Sequence, residues 1–111
     1  MTELIRKLCA LPGASGNEDA VREAIIEEIR DHCTFETDAL GNLIVFKKGA
    51  RPAKKKLLLS AHMDEVGFIV TAVESDGLLR FAPVGGIDPA AVVGKHVLVG
   101  EKGIHGVVGI K

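Results

Sequence analysis

Leu57-Leu58-Leu59-Ser60-Ala61-His62-Met63-Asp64-Glu65-Val66-Gly67-Phe68 is the stretch that decides the fold. Its first five residues lack polar alternation, the look of a strand covered on both faces at the centre of an α/β sheet. Side chains two apart in an extended chain point the same way, so His62 and Asp64 are expected to leave the strand's C-terminal end together. In open α/β sheets, ligands bind at that end. A metal-binding imidazole commonly gives its second N–H to a carboxylate, which fixes the tautomer and raises ligand basicity. On that pattern His62 is the metal ligand and Asp64 the catalytic-site carboxylate that orients it. Ser60 and Ala61 are small and leave space beside the pair. H-x-D is also short and frequent by chance, and the competing reading is a hydrogen-bonded polar pair at a strand end. Burying such a pair costs on the order of several kcal/mol unless an ion or hydrogen bonds compensate.

Before this stretch, Leu4, Ile5, Leu8 and Cys9 have the spacing of a short amphipathic helix over Thr2 to Ala10, ended by Leu11-Pro12-Gly13. Ala14 to Asp19 offers capping side chains and first-turn acids for a second helix from about Asn17 to His32. Its core stripe is predicted as Val21, Ala24, Ile25, Ile29 and Cys33, with Arg22, Glu23, Glu27, Glu28 and Arg30 facing mostly outward. Phe35 to Asp38 and Leu43 to Lys47 read as an antiparallel hairpin around Ala39-Leu40-Gly41-Asn42.

After Asp64 the texture turns to β. Val66 to Val73 and Leu78 to Val84 flank the turn Glu74-Ser75-Asp76-Gly77, and Val97 to Val99 and Val107 to Ile110 flank Gly100 to Gly103. No helical pattern is visible here. With Gly85-Gly86 and Gly94 at corners, this half reads as a small β-barrel or part of one. The predicted organisation is residues 1–66 as one α/β part and residues 67–111 as the first part of a β-barrel.

The 111 residues, 47% apolar, are enough for one compact core or parts of two. A formal charge of −1, with acids and bases spread along the chain, gives no footprint for a nucleic acid or an anionic membrane. The basic run Lys54-Lys55-Lys56, with Lys48, Arg51 and Pro52 near it, reads as a solvated loop before an apolar strand. Cys9 and Cys33 lack C-x-x-C spacing and read as reduced thiols. There is neither an N-terminal apolar h-region nor a run of about 18 apolar residues, so a soluble, cytoplasmic protein is expected.

Four ordered motifs carry a resemblance: Leu-Pro-Gly-Ala-Ser-Gly-Asn-Glu at 11 to 18, Asp-Ala-Leu-Gly-Asn-Leu at 38 to 43, Ala-His-Met-Asp-Glu-Val-Gly-Phe at 61 to 68 and Val-Gly-Gly-Ile-Asp at 84 to 88. Together they resemble the glutamyl aminopeptidase family, whose relatives include the deblocking and tetrahedral aminopeptidases and are often labelled cellulase or endoglucanase. The resemblance implies the N-terminal part of an α/β/α metallopeptidase domain, followed by part of an inserted β-barrel domain used in oligomer assembly. It implies a peptide substrate, two divalent metal ions (zinc or cobalt), and a homo-oligomer of dimers up to a dodecamer. It also implies His62 on one ion with Asp64 supporting it. Family members are roughly three times as long, and their bridging aspartate, general-base glutamate, remaining acidic ligand and second histidine would lie beyond Lys111. The chain by itself is therefore expected to be inactive.

Other residues have plainer readings. Glu65 adjoins Asp64 but points to the opposite side if the strand persists. His96 and His105 in predicted hairpins, and His32 at a helix end, read as structural or exposed. Asp38, Asn42 and Asp88 read as turn formers. The alternatives are a non-catalytic module that binds metal weakly or not at all, and another dinuclear hydrolase of the deacylase or carboxypeptidase type, against which the Gly-Phe-Ile-Val continuation argues.

Overall fold

The computed structural model describes residues 1–51 and 54–110. Pro52 of the basic loop and the terminal Lys111 lie outside the described residues; Lys54, Lys55 and Lys56 are exposed and outside any helix or strand. The chain divides into two units, Met1–Glu65 and Val66–Lys111.

In the first unit, α1 (Thr2–Cys9) and α2 (Asp19–Ile29) precede an antiparallel pair, β1 (Thr34–Thr37) and β2 (Leu43–Phe46). The 3.6-residue periodicity holds in α2: Val21 and Ala24 are buried and Ile25 and Ile29 half-buried. Lys7 of α1 reaches Glu28 of α2 at 2.9 Å, an exposed pair screened by solvent. Arg22 departs from the outward orientation expected of it. Its side chain is only 15% exposed, because the guanidinium pairs with Asp19 and donates to the Gly41 carbonyl at 3.3 Å. The hairpin turn is thereby tied to α2.

That turn is built by one carboxylate. Asp38 accepts from the backbone N–H of Leu40 and of Asn42, each at 2.9 Å, and from the Asn42 side-chain amide at 2.8 Å, while Gly41 takes φ 85°. These bonds, led by that of the Asn42 amide, hold the Asp38 carboxyl below its ordinary value.

The expected covered strand at 57–61 is not formed. Leu57, Leu58 and Leu59 are 85%, 87% and 84% exposed, and no described strand pairs with this segment. The physical reason is that a strand exists only through a neighbour's backbone groups. An apolar run reports the environment it suits, not whether this chain supplies the partner. The nearest bridge is a single parallel one, Ala14 to Glu65.

The second unit holds β3 (Gly67–Val73), β4 (Leu79–Val84), α3 (Pro89–Val92), β5 (His96–Val99) and β6 (Ile104–Val107). β3 and β4 pair antiparallel with an irregularity between Val70 and Ala72. Phe68 and Phe81 meet edge to face across this pair, with ring centroids 4.7 Å apart. Two expectations are corrected here. The half is not free of helix: Asp88 accepts from the Ala90 N–H at 2.9 Å and, with Pro89 in the first turn, starts the single turn α3. The last strand begins at Ile104 instead of Val107, directly after Gly103 at φ 60°, because the Gly100–Gly103 turn closes earlier than the valine run suggests. The described strands form three separate two-stranded sheets, of which β3–β4 and β5–β6 belong to this unit.

The core is small: Val21, Ala24 and Val108 are the buried hydrophobic residues among those described. The chain exposes 9711 Å². A compact monomer of 11.7 kDa would present about 5,900 Å², and two independent domains of half that mass about 7,100 Å² together. Large apolar side chains contribute to this surface, Leu57, Leu58 and Leu59 among them, each more than four-fifths exposed.

Candidate metal-ligand pair

His62 and Asp64 do meet. The imidazole Nδ1 lies 2.9 Å from Asp64 Oδ1 and 3.0 Å from the Asp64 carbonyl oxygen. Both partners are acceptors when the carboxylate is ionised, so in the neutral ring Nδ1 is the donor and Nε2 keeps the lone pair that a cation needs. The pair is open to solvent. The His62 side chain is 85% exposed and that of Asp64 40%, as follows from the unpaired segment that precedes them.

A second anchor holds the carboxylate. The Ser15 hydroxyl donates to Asp64 Oδ2 at 2.5 Å, so each carboxylate oxygen has its own donor, one from each side. Together these bonds, the Ser15 bond foremost and the His62 bond next, hold the Asp64 carboxyl below its ordinary value.

The backbone explains how a residue 49 positions away arrives there. The Glu65 N–H donates to the Gly13 carbonyl at 2.7 Å, next to the Ala14–Glu65 bridge. Gly13 is buried; a Cβ on it would stand 3.0 Å from Val21 Cγ2 and 3.5 Å from the Met63 carbonyl oxygen. The missing side chain lets the loop wedge between α2 and the Met63 backbone. The Asn17 N–H then closes a turn on the Ala14 carbonyl at 2.8 Å, with Gly16 at φ 87°, and Ser15 sits in that turn.

Ser15 was legible only as a capping residue. No side chain caps α2, whose cap position is Glu18, and the Ser15 hydroxyl is spent on Asp64 instead. No local spacing signals a contact between residues 15 and 64.

The remaining sequence candidates are not drawn to the pair. Glu65 contributes its backbone N–H, and its side chain is exposed. His32 follows α2 and is exposed. His96 and His105 belong to the second unit, where the β5–β6 register places them on one exposed face with Leu98 and Val107. Asp38, Asn42 and Asp88 serve the turns described above. Among the described residues, no three His, Cys, Asp or Glu side chains gather as a metal site. The donor set thus fits one metal ligand with its orienting carboxylate, short of the three or four protein ligands that zinc sites use.

Known proteins resemble this chain over nearly its whole length. The lysyl aminopeptidase of Pyrococcus furiosus is 36% identical over 97% of this chain and 32% of its own length. Among solved structures, one named endoglucanase from Thermotoga maritima superposes with a TM-score of 0.86 at 49% identity, covering 95% of this chain and 33% of that one. The TET1 peptidase of Pyrococcus horikoshii, described as assembling into a tetrahedron or a large octahedral shell, superposes at 0.84 with 43% identity, covering 99% and 33%. The chain spans about a third of the length of the relatives it matches. These likenesses place the two helices and the hairpins in an α/β peptidase fold. The model of the M42 glutamyl aminopeptidases matches residues 41–111, from the hairpin turn through the His62–Asp64 pair to the last residue, and the chain belongs to that family.

Proposed function

We propose that this chain supplies a metal-binding histidine and its orienting carboxylate to a divalent-metal aminopeptidase that releases N-terminal residues from peptides. The observation that carries this reading is the 2.9 Å contact between His62 Nδ1 and Asp64 Oδ1, which leaves Nε2 free. A divalent cation, zinc or cobalt, held at His62 and at ligands from outside these residues would supply electrophilic polarisation of the scissile carbonyl. His62 binds through Nε2, and Asp64 keeps the Nδ1 proton in place and balances the charge on the ring. Residues 1–66 form part of the catalytic α/β/α domain and residues 67–111 the start of an inserted β domain. The exposed apolar surface is then covered by the remainder of the enzyme and by further copies in a homo-oligomer, as the assembly of the Pyrococcus horikoshii relative suggests. No described helix is long and apolar enough to cross a membrane, which is compatible with a cytoplasmic site of action.

A glycosidase reading, prompted by the endoglucanase name, has less support. Glycoside cleavage uses two carboxyl groups, one kept protonated by a raised pKa. At this site the carboxyl is shifted downward and is committed to a histidine and a serine.

The test is hydrolysis of an aminoacyl-p-nitroanilide by the full-length product of the gene. Activity should be lost on chelation and in His62→Ala; full activity in that variant would overturn the assignment. The 111-residue chain by itself should hold zinc well below one equivalent after dialysis, because it offers one ligand. Tight one-to-one binding would show further donors within the chain.

A further inference from the structure

We infer that Ser15 is a positioning residue for the metal-ligand pair: its hydroxyl fixes the Asp64 carboxylate so that Oδ1 stays on His62 Nδ1 and Nε2 keeps its lone pair free. This rests on the aminopeptidase reading for its functional meaning.

The terminal torsion of an aspartate is broad, so one contact to Oδ1 does not fix the plane of the carboxylate. Ser15 Oγ at 2.5 Å from Oδ2 supplies the second point, and with His62 on Oδ1 the plane is determined. The serine is itself held by covalent and backbone constraints. Gly13 is wedged against Val21, the Gly13 carbonyl receives the Glu65 N–H at 2.7 Å, and the Asn17 N–H closes the turn on Ala14. The element carrying the hydroxyl is therefore clamped to the backbone next to Asp64. A hydroxyl also suits the task chemically. It donates to an ionised carboxylate, adds no charge near a cation, and offers no strong competing ligand. The Asp64 carbonyl, 3.0 Å from Nδ1, is a second acceptor for the same proton. Loss of Ser15 should accordingly weaken the tautomer preference without abolishing it.

The experiment is long-range ¹H–¹⁵N NMR of the histidine rings in the 111-residue chain, at a pH where the imidazoles are neutral, with His32, His96 and His105 as internal references. In the unsubstituted chain His62 should be mainly the Nδ1–H tautomer. Ser15→Ala should lower the ratio of Nδ1–H to Nε2–H about three- to tenfold, the worth of one hydrogen bond of ordinary net strength. Ser15→Thr, which keeps the hydroxyl, should restore the ratio. Should Ser15→Ala lose the dispersed amide signals of α2, Ser15→Cys, a weak donor of similar size, is compared with Ser15→Thr; a lower ratio in the cysteine variant is expected. An unchanged ratio in Ser15→Ala, or equal ratios in the cysteine and threonine variants, overturns the inference. Neither readout needs a metal or turnover, so failure here leaves the aminopeptidase reading intact. An inactive full-length enzyme would sink that reading without touching the tautomer result.

Discussion

Two adjacent pieces of backbone behave oppositely. From Leu57 to Ala61 the chain is largely apolar and exposed, and no described strand pairs with it. From His62 to Glu65 it is polar, and the hydrogen bonds to Gly13 and Ser15 fasten it to a loop. The difference teaches that the polar clasp is specified within this chain, whereas the strand before it carries only the composition of a covered strand. Hydrogen bonds need two matched groups, and both are present; apolar burial needs area, and these residues do not supply it.

Substituting Gly13 should break the clasp most severely. Gly13→Val drives side-chain atoms into Val21 and the Met63 carbonyl, and should destabilise the first unit by about 1–3 kcal/mol, read as a shifted denaturant midpoint. The Asp64–Ser15 contact should then be lost together with the loop.

Acid should loosen the clasp and the hairpin turn together. Asp64 and Asp38 have folded-state values below the ordinary 3.8, so each contributes stability that is present above that value and lost as pH falls through the lower, folded one. Circular dichroism should therefore hold steady from neutral pH down to about pH 5 and decline below about pH 4. A decline centred near pH 6 would point to histidine instead and contradict the assignment of these bonds.

A smaller effect is expected at α3. Asp88→Ala removes the cap on a single-turn helix and should cost about 1 kcal/mol in the second unit, leaving the amide signals of the clasp unmoved. The smallest belongs to the exposed strand segment. Leu58→Ala should change the stability of this chain by less than about 0.5 kcal/mol. If a longer enzyme covers the segment, as proposed, the same substitution should there cost about 2–5 kcal/mol. Equal costs in both settings would erase the distinction between the two regions.

The sequence was informative wherever structure is set by neighbours within a few residues. The α2 stripe of Val21 and Ala24, the hairpin around Gly41 and the pairing of His62 with Asp64 all follow from helical or strand period and turn chemistry. It misled where the determining contacts are remote. Leu57–Leu59 lacks a neighbouring strand, Ser15 serves a carboxylate 49 residues away, and Arg22 turns inward to a carbonyl 19 residues on. It also lacked resolution at single turns: Asp88-Pro89 signals a cap, but the short α3 after it has too few residues for a period to be visible.

Anomalous diffraction at the zinc edge from crystals of the full-length enzyme tests the central claim most directly. A peak is expected about 2.0–2.1 Å from His62 Nε2, with Asp64 remaining on Nδ1 and Ser15 on Asp64. A metal bound through Nδ1, or one with His62 outside its coordination shell, would contradict it.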